Sequence, residues 1–266
     1  MATKEEIIGL ANSIIDATNA LSVQPTSPAA TLTWPTPTDC LAGTPPAAPW
    51  PYDLASDPDA HSVDLTYYDR MHAAARDGSV LFIGHSQIQQ MDTASASPFG
   101  VAMGYGGETF RRLMVKRLNR LGSGNLIHRA GAVVLLSGVC DIGSTTYYGA
   151  PSTHQAADTV ANLMYRQLAG WATGKWVIVK CLPIDEFSAS APGYNAEIDR
   201  MNAGIVAAMA ATTANVRFVD IKSQVIDSDG NLRDDCHIGD GVHLSKLSQA
   251  ILTAGISAAL QSLGVQ

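Results

Sequence analysis

Charge is scarce in this chain. Asp, Glu, Lys and Arg make up 15% of its 266 residues, and 17 basic residues face 24 acidic ones. A net charge of −7 leaves no basic face for phosphates, so nucleic acid is not an expected partner. Cysteine is equally sparse. Cys40, Cys140, Cys181 and Cys236 form no C-x-x-C pair, so neither a disulfide scaffold nor a zinc site is expected. Cys181 closes an apolar run and reads as a small buried hydrophobe. No run approaches the ~20 apolar residues that cross a bilayer, so no membrane partner is expected. The start, Met1-Ala2-Thr3-Lys4-Glu5-Glu6, lacks the basic residues and apolar core of a signal peptide. A cytoplasmic setting is therefore the default expectation.

What is present is apolar, 46% of the chain, enough for one large α/β domain. Residues 1–22 form a first segment. Ile7, Leu10, Ile14, Ala17 and Leu21 recur at spacings of three and four, which predicts a helix over 4–21. The spacing fits a short coiled-coil seam, and thus a homo-oligomer, and fits equally a helix packed on its own domain. Residues 23–55 are rich in Pro, Thr, Ala and Ser and read as an extended arm, with Trp34 and Trp50 as docking points. Residues 56–266 alternate strand and helix. Strands are expected at 79–84, 100–104, 132–136, 176–180 and 216–219. Helices are expected near 64–77, 107–121, 154–172, 194–212 and 245–262. Near-continuous Val/Ile/Leu strands between helices imply a parallel sheet covered on both faces. In such sheets ligands bind beyond the carboxyl ends of the strands.

Two distant segments carry the chemistry. Gly84-His85-Ser86 follows the run Val80-Leu81-Phe82-Ile83, and Asp240-Gly241-Val242-His243 precedes the last helix. A serine hydroxyl is a poor nucleophile until a base takes its proton, and that base must be held in the right tautomer. Ser86, His243 and Asp240 are candidates for nucleophile, base and orienting acid. Their separation in the chain is no objection, because such triads are defined by geometry. Between them lie Gly104-Tyr105-Gly106-Gly107-Glu108-Thr109 and Ser137-Gly138-Val139-Cys140-Asp141, each at the end of an apolar run.

These four blocks, in this order, resemble those of the SGNH (GDSL-type) hydrolases, most nearly the platelet-activating-factor acetylhydrolase catalytic subunits and bacterial carbohydrate esterases. The resemblance covers roughly residues 50 to 262. It implies a three-layer α/β/α, flavodoxin-like fold with about five parallel strands. It implies a serine esterase that removes short acyl groups, acetyl above all, from carbohydrate or similar alcohols, with no metal or organic cofactor. It places the oxyanion at the N–H groups of Ser86 and Gly107 and at Cys140. There are two departures. His85 stands where the family has an acidic residue, and Cys140 stands where it has an asparagine. A thiol donates more weakly than an amide, and one lost oxyanion donor typically costs ~10²–10³ in rate. His85 is expected behind the site or facing substrate, where its charge would tune pH dependence near neutrality, and Asp141 is expected behind the site, tying down the loop after the third strand.

Each residue also has a plainer reading. Ser86 suits a helix N-cap, and Gly106 and Gly107 suit a tight turn. Asp234-Asp235 is a rival pair of acids, but lacks the spacing of Asp240 to His243. His237, beside Cys236, is expected in a turn. Arg111, Arg112, Lys116 and Arg117 read as a solvated helix face. The alternative reading of the whole chain is a weakened SGNH-fold module that binds or assembles, for example as a virion component in a phage tail.

Overall fold

In the computed structural model, residues 77–110, 113, 129–143, 174–209 and 215–265 are described. Five apolar runs in this set become strands: β1 (Val80–Gly84), β2 (Gly100–Gly104), β3 (Ala132–Leu136), β4 (Trp176–Val179) and β5 (Val216–Val219). They pair in parallel in the order β2-β1-β3-β4-β5. The three inner strands are buried at every position, while the edge strands β2 and β5 have half-buried residues. That explains the sequence pattern. A strand covered on both faces needs apolar residues at every position, and partial exposure appears only at the edges.

The chain runs from β1 outward to β2, then returns past β1 to β3. This reversal makes a switch point between β1 and β3. With right-handed crossovers, the connections on either side of the reversal lie on opposite faces. The long helices fit that rule. The last helix, α6 (Lys246–Ser262), packs on β4 and β5 and also on α2 (Thr93–Ala96), from the β1–β2 connection. The β4–β5 crossover helix, α4 (Tyr194–Met209), packs instead on α3 (Val139–Gly143), which follows β3.

Helix α6 buries Ser248, Leu252, Ile256 and Leu260, one every four residues, and Ser245 caps its start. Each fully buried aliphatic side chain of this kind is worth about 2 kcal/mol. Helix α4 buries Ile198, Met201 and Ile205 with one amide among them, Asn202. The Asn202 amide accepts from the Cys181 N–H and donates to the Cys181 carbonyl, both at 2.9 Å. This pins the crossover helix to the end of β4.

All five expected strands are present within a residue of their expected ends. Helix 194–212 appears as Tyr194–Met209, and helix 245–262 begins one residue later because Ser245 is its cap. The short helices α1 (Ser86–Gln89), α2, α3 and α5 (Lys222–Val225), and the 3-10 turn Asp234–Cys236, are too brief to show a period. Helices expected over 4–21, 64–77 and 154–172, the Pro-rich arm, both inner segment boundaries and most of 107–121 lie outside the described residues.

Two glycines set how closely the layers approach. Gly84 pairs with Gly104 on one side and Leu136 on the other. A Cβ on Gly84 would lie 2.0 Å from the Leu136 carbonyl oxygen, and one on Gly104 would lie 2.2 Å from the Gln89 nitrogen. Both clashes are with backbone, which cannot swing aside. We predict that Gly104→Ala costs about 3 kcal/mol, the upper range for overpacking, and lowers the urea midpoint at unchanged m-value. An undisturbed midpoint would show that α1 can lift away from β2.

Candidate active site

Three segments leave the sheet side by side, because Gly84, Gly104 and Leu136 stand in one register. They carry Ser86, Gly107 and Cys140. Hydrogen bonds bind the exits together: the His85 N–H donates to the Leu136 carbonyl at 3.3 Å and the Tyr105 N–H to the Gly84 carbonyl at 3.0 Å. Ser86 opens α1 at half-burial.

His243 meets Ser86 across 157 positions of sequence. Its Nε2 lies 2.9 Å from Ser86 Oγ, and its Nδ1 lies 2.5 Å from Asp240 Oδ2. The other carboxylate oxygen of Asp240 accepts from the Val242 and His243 N–H groups at 2.9 and 2.8 Å. Burial, the largest influence, raises the Asp240 pKa. The two backbone N–H groups and the imidazole outweigh it and hold it at about 2. Asp240 is therefore ionised at neutral pH, and a carboxylate facing Nδ1 selects the Nδ1–H tautomer. The lone pair of Nε2 then points at the serine hydroxyl. Such a chain can take a proton from the hydroxyl and stabilise the resulting imidazolium.

Gly107 lies in the turn after β2 with φ +69° and open space where a Cβ would stand, so backbone conformation requires the glycine there. Cys140 is half-buried in α3. Asp141, fully buried, accepts from the Phe110 N–H at 2.6 Å. It thereby joins the block after β3 to the block after β2. Cys181 is buried below, and its thiol donates to the Ser137 carbonyl at 3.1 Å. Burial pushes that thiol's pKa up, so it is inert packing.

His85 is 1% exposed. Its Nδ1 accepts from the Gln87 N–H at 3.4 Å, capping α1, while Nε2 is buried without a hydrogen-bond partner. Burial, then the neighbouring His243, lowers its pKa to about 4. It is thus a neutral support behind the serine, and burial corrects the expectation of a substrate-facing ring whose charge changes near neutrality.

Two residues went unnoticed in the sequence, and a third, His237, was read only as part of a turn. Gln87 donates from Nε2 to the Val242 carbonyl at 2.9 Å and so ties α1 to the histidine loop. Its signal is a buried amide directly after the serine. Asp185 gives its backbone N–H to the Gly241 carbonyl at 2.8 Å, and its position just past β4 is the signal. His237, expected in a turn, is buried. Its Nδ1 accepts from the Gly239 and Gly241 N–H groups at 3.0 and 3.1 Å. Its Nε2 faces Asp185 at 3.7 Å and Asp234 at 3.8 Å. These three side chains bring their donor atoms within 4.8 Å of one another, a metal-like set. The bonding argues otherwise. An Nδ1 that accepts leaves the proton on Nε2, whereas a metal ligand must present a lone pair there.

Neither a family sequence model nor a curated protein matches the chain. Solved structures do. A GDSL-like lipase from Bacteroides thetaiotaomicron superposes with TM-score 0.58 at 20% identity, over 75% of this chain and 98% of that one. A lipase/acylhydrolase from Enterococcus faecalis gives 0.53 at 15%, over 70% and 96%. An acetyl xylan esterase gives 0.52 at 16%, over 68% and 99%. At such identities the likeness is one of fold: the chain has the three-layer α/β/α fold of the SGNH hydrolases.

The burial of His85 has a consequence for stability. Its folded pKa, about 4, lies below its ordinary 6.5. Between these values the unfolded chain binds the extra proton and the native state does not, so stability rises with pH there. The contribution is full above pH 6.5 and is lost as pH falls toward 4, on the order of 3 kcal/mol. We predict that His85→Asn, which keeps a cap acceptor, flattens unfolding free energy over this window. An equally steep slope in the variant would assign the loss to other groups.

Proposed function

We propose that the protein is a serine esterase that removes short acyl groups, acetyl foremost, from carbohydrate or similar alcohols. The carrying observation is the unbroken hydrogen-bond chain Ser86–His243–Asp240 at the carboxyl edge of the sheet. Ser86 Oγ attacks the ester carbonyl while His243 Nε2 takes its proton. His243 then returns that proton to the departing alcohol, leaving an acyl-serine. Water, activated by the same imidazole, releases the acid and restores the serine. Asp240 holds the imidazole and stabilises its charged form. The N–H groups of Ser86 and Gly107, with a contribution at Cys140, receive the oxyanion. No step calls on a metal or organic cofactor. Ester hydrolysis is supported by the lipase, acylhydrolase and acetyl xylan esterase among the proteins of like fold. A sugar acceptor fits Phe187, an aromatic residue 91% exposed and two positions after Asp185, whose N–H bonds the acid loop at Gly241.

Ser86→Ala should reduce turnover of p-nitrophenyl acetate at least ~10³-fold, since removing one member disables the triad, with an unchanged melting curve. Activity within a few-fold of wild type would remove Ser86 as nucleophile and favour a binding module.

Cys140→Asn should keep or raise activity on small acetyl esters. A good oxyanion donor is worth ~3–4 kcal/mol in the transition state, and an amide donates better than a thiol. A tenfold fall in kcat with the fold intact would mean that the site is organised around the thiol.

A further inference from the structure

The acid loop has an organiser outside the triad. Asp240 sits between two glycines, Gly239 at φ +105° and Gly241 at φ +74°. These are conformations that side-chain-bearing residues rarely adopt. A Gly-Asp-Gly stretch with two left-handed positions is loose by nature, and its ordering has to come from bonds to fixed groups. The backbone N–H groups of both glycines converge on a single atom, His237 Nδ1. Asp240 is clasped on either side by one imidazole.

His237 is itself fixed. It pairs with Leu244 in an antiparallel bridge, and the Ile238 N–H donates to the His243 carbonyl at 3.0 Å. Its side chain is 5% exposed. With Nδ1 accepting, the single proton rests on Nε2, which is buried without a hydrogen-bond partner and faces the carboxylates of Asp185 and Asp234. The Ser188 hydroxyl first, and then the backbone N–H groups of Phe187 and Ser188, hold the Asp185 carboxyl below its ordinary pKa. An N–H dipole aimed at two carboxylates favours the tautomer that leaves Nδ1 free to accept. A Cβ on Gly241 would meet the Asp185 carbonyl oxygen at 2.7 Å, so the acid loop and the Asp185 loop are also held in close contact.

We propose that His237, in its neutral Nε2–H form, is the positioning residue that sets Asp240, and through it His243, at the geometry the esterase needs; this rests on the esterase reading above. His237 touches no substrate and moves no proton. Its action is to fix the backbone on both sides of the carboxylate.

The test compares His237→Asn, His237→Gln and His237→Ala, with Ser86→Ala as control, on p-nitrophenyl acetate. The Asn side-chain oxygen falls near the place of Nδ1, whereas the Gln amide reaches toward Nε2. A catalytic group displaced by an ångström loses about 100-fold. The Gln and Ala variants should therefore lose about that factor in kcat at nearly constant KM. Asn should recover at least tenfold over Gln at a similar melting temperature. Independently of turnover, ¹⁵N spectra should show the Nε2–H tautomer of His237. Amide exchange at Gly239 and Gly241 should accelerate in Gln and not in Asn. Equal kcat in Asn and Gln, or an Nδ1–H tautomer in the wild type, would overturn the proposal. A wild type inert toward the ester, with amide exchange still following the Asn/Gln pattern, would sink the esterase reading and leave the clasp standing.

Discussion

A hydrogen bond of 2.9 Å between Ser86 and His243 joins two residues 157 positions apart. A few tenths of an ångström decide whether an imidazole can accept the serine proton. Both segments must therefore be held to that tolerance by everything beneath them. On the serine side, the hold comes from β1, an inner strand at the switch point, and from bare glycine contacts that seat α1 against β2. On the histidine side it comes from α6, packed on β4 and β5, and from the loop that enters it. The Gln87 amide joins the two sides directly through the Val242 carbonyl.

Charge around the site is arranged in layers. Asp240 is ionised and partly exposed, so its charge is screened by water and acts chiefly on the imidazole bonded to it. His85, buried behind the serine, stays neutral. Under the esterase proposal, a second positive charge there would oppose the imidazolium formed at His243. The family-like blocks usually carry an acid at this position; a neutral histidine still caps α1 through Nδ1. The other buried imidazole, His237, faces carboxylates on one edge and backbone N–H groups on the other. The three rings thus differ in what each ring nitrogen meets.

Much of this was legible in sequence, and the reasons are physical. Buried parallel strands need unbroken Val/Ile/Leu runs, so β1, β3 and β4 announced themselves. Ser86, Gly107 and Cys140 were picked out by the resemblance of their blocks to those of the SGNH hydrolases, and the rule that sites lie past strand ends agreed with it. The pairing of Asp240 with His243 followed from their spacing. The contacts of Gln87, Asp185 and His237 were not legible, because each depends on a neighbour from another segment. Nothing in Cys236-His237-Ile238 tells that the ring will be buried under a Gly-Asp-Gly loop. The short helices α1, α2, α3 and α5 escaped as well, since one turn of helix holds no periodicity to read. Asp141 shows the middle case. Its tethering role was expected, but its partner, the Phe110 N–H, became visible only once two strands stood in register.

The central claim is that Ser86 is made nucleophilic by His243. The most direct measurement is reaction of the protein with a serine-directed organophosphonate, followed by mass analysis of the intact chain and its peptides. The account predicts one adduct per chain, on the peptide containing Ser86, formed rapidly in the wild type and barely at all in His243→Ala. An adduct on another residue, or equal labelling of Ser86 with and without the imidazole, would contradict it.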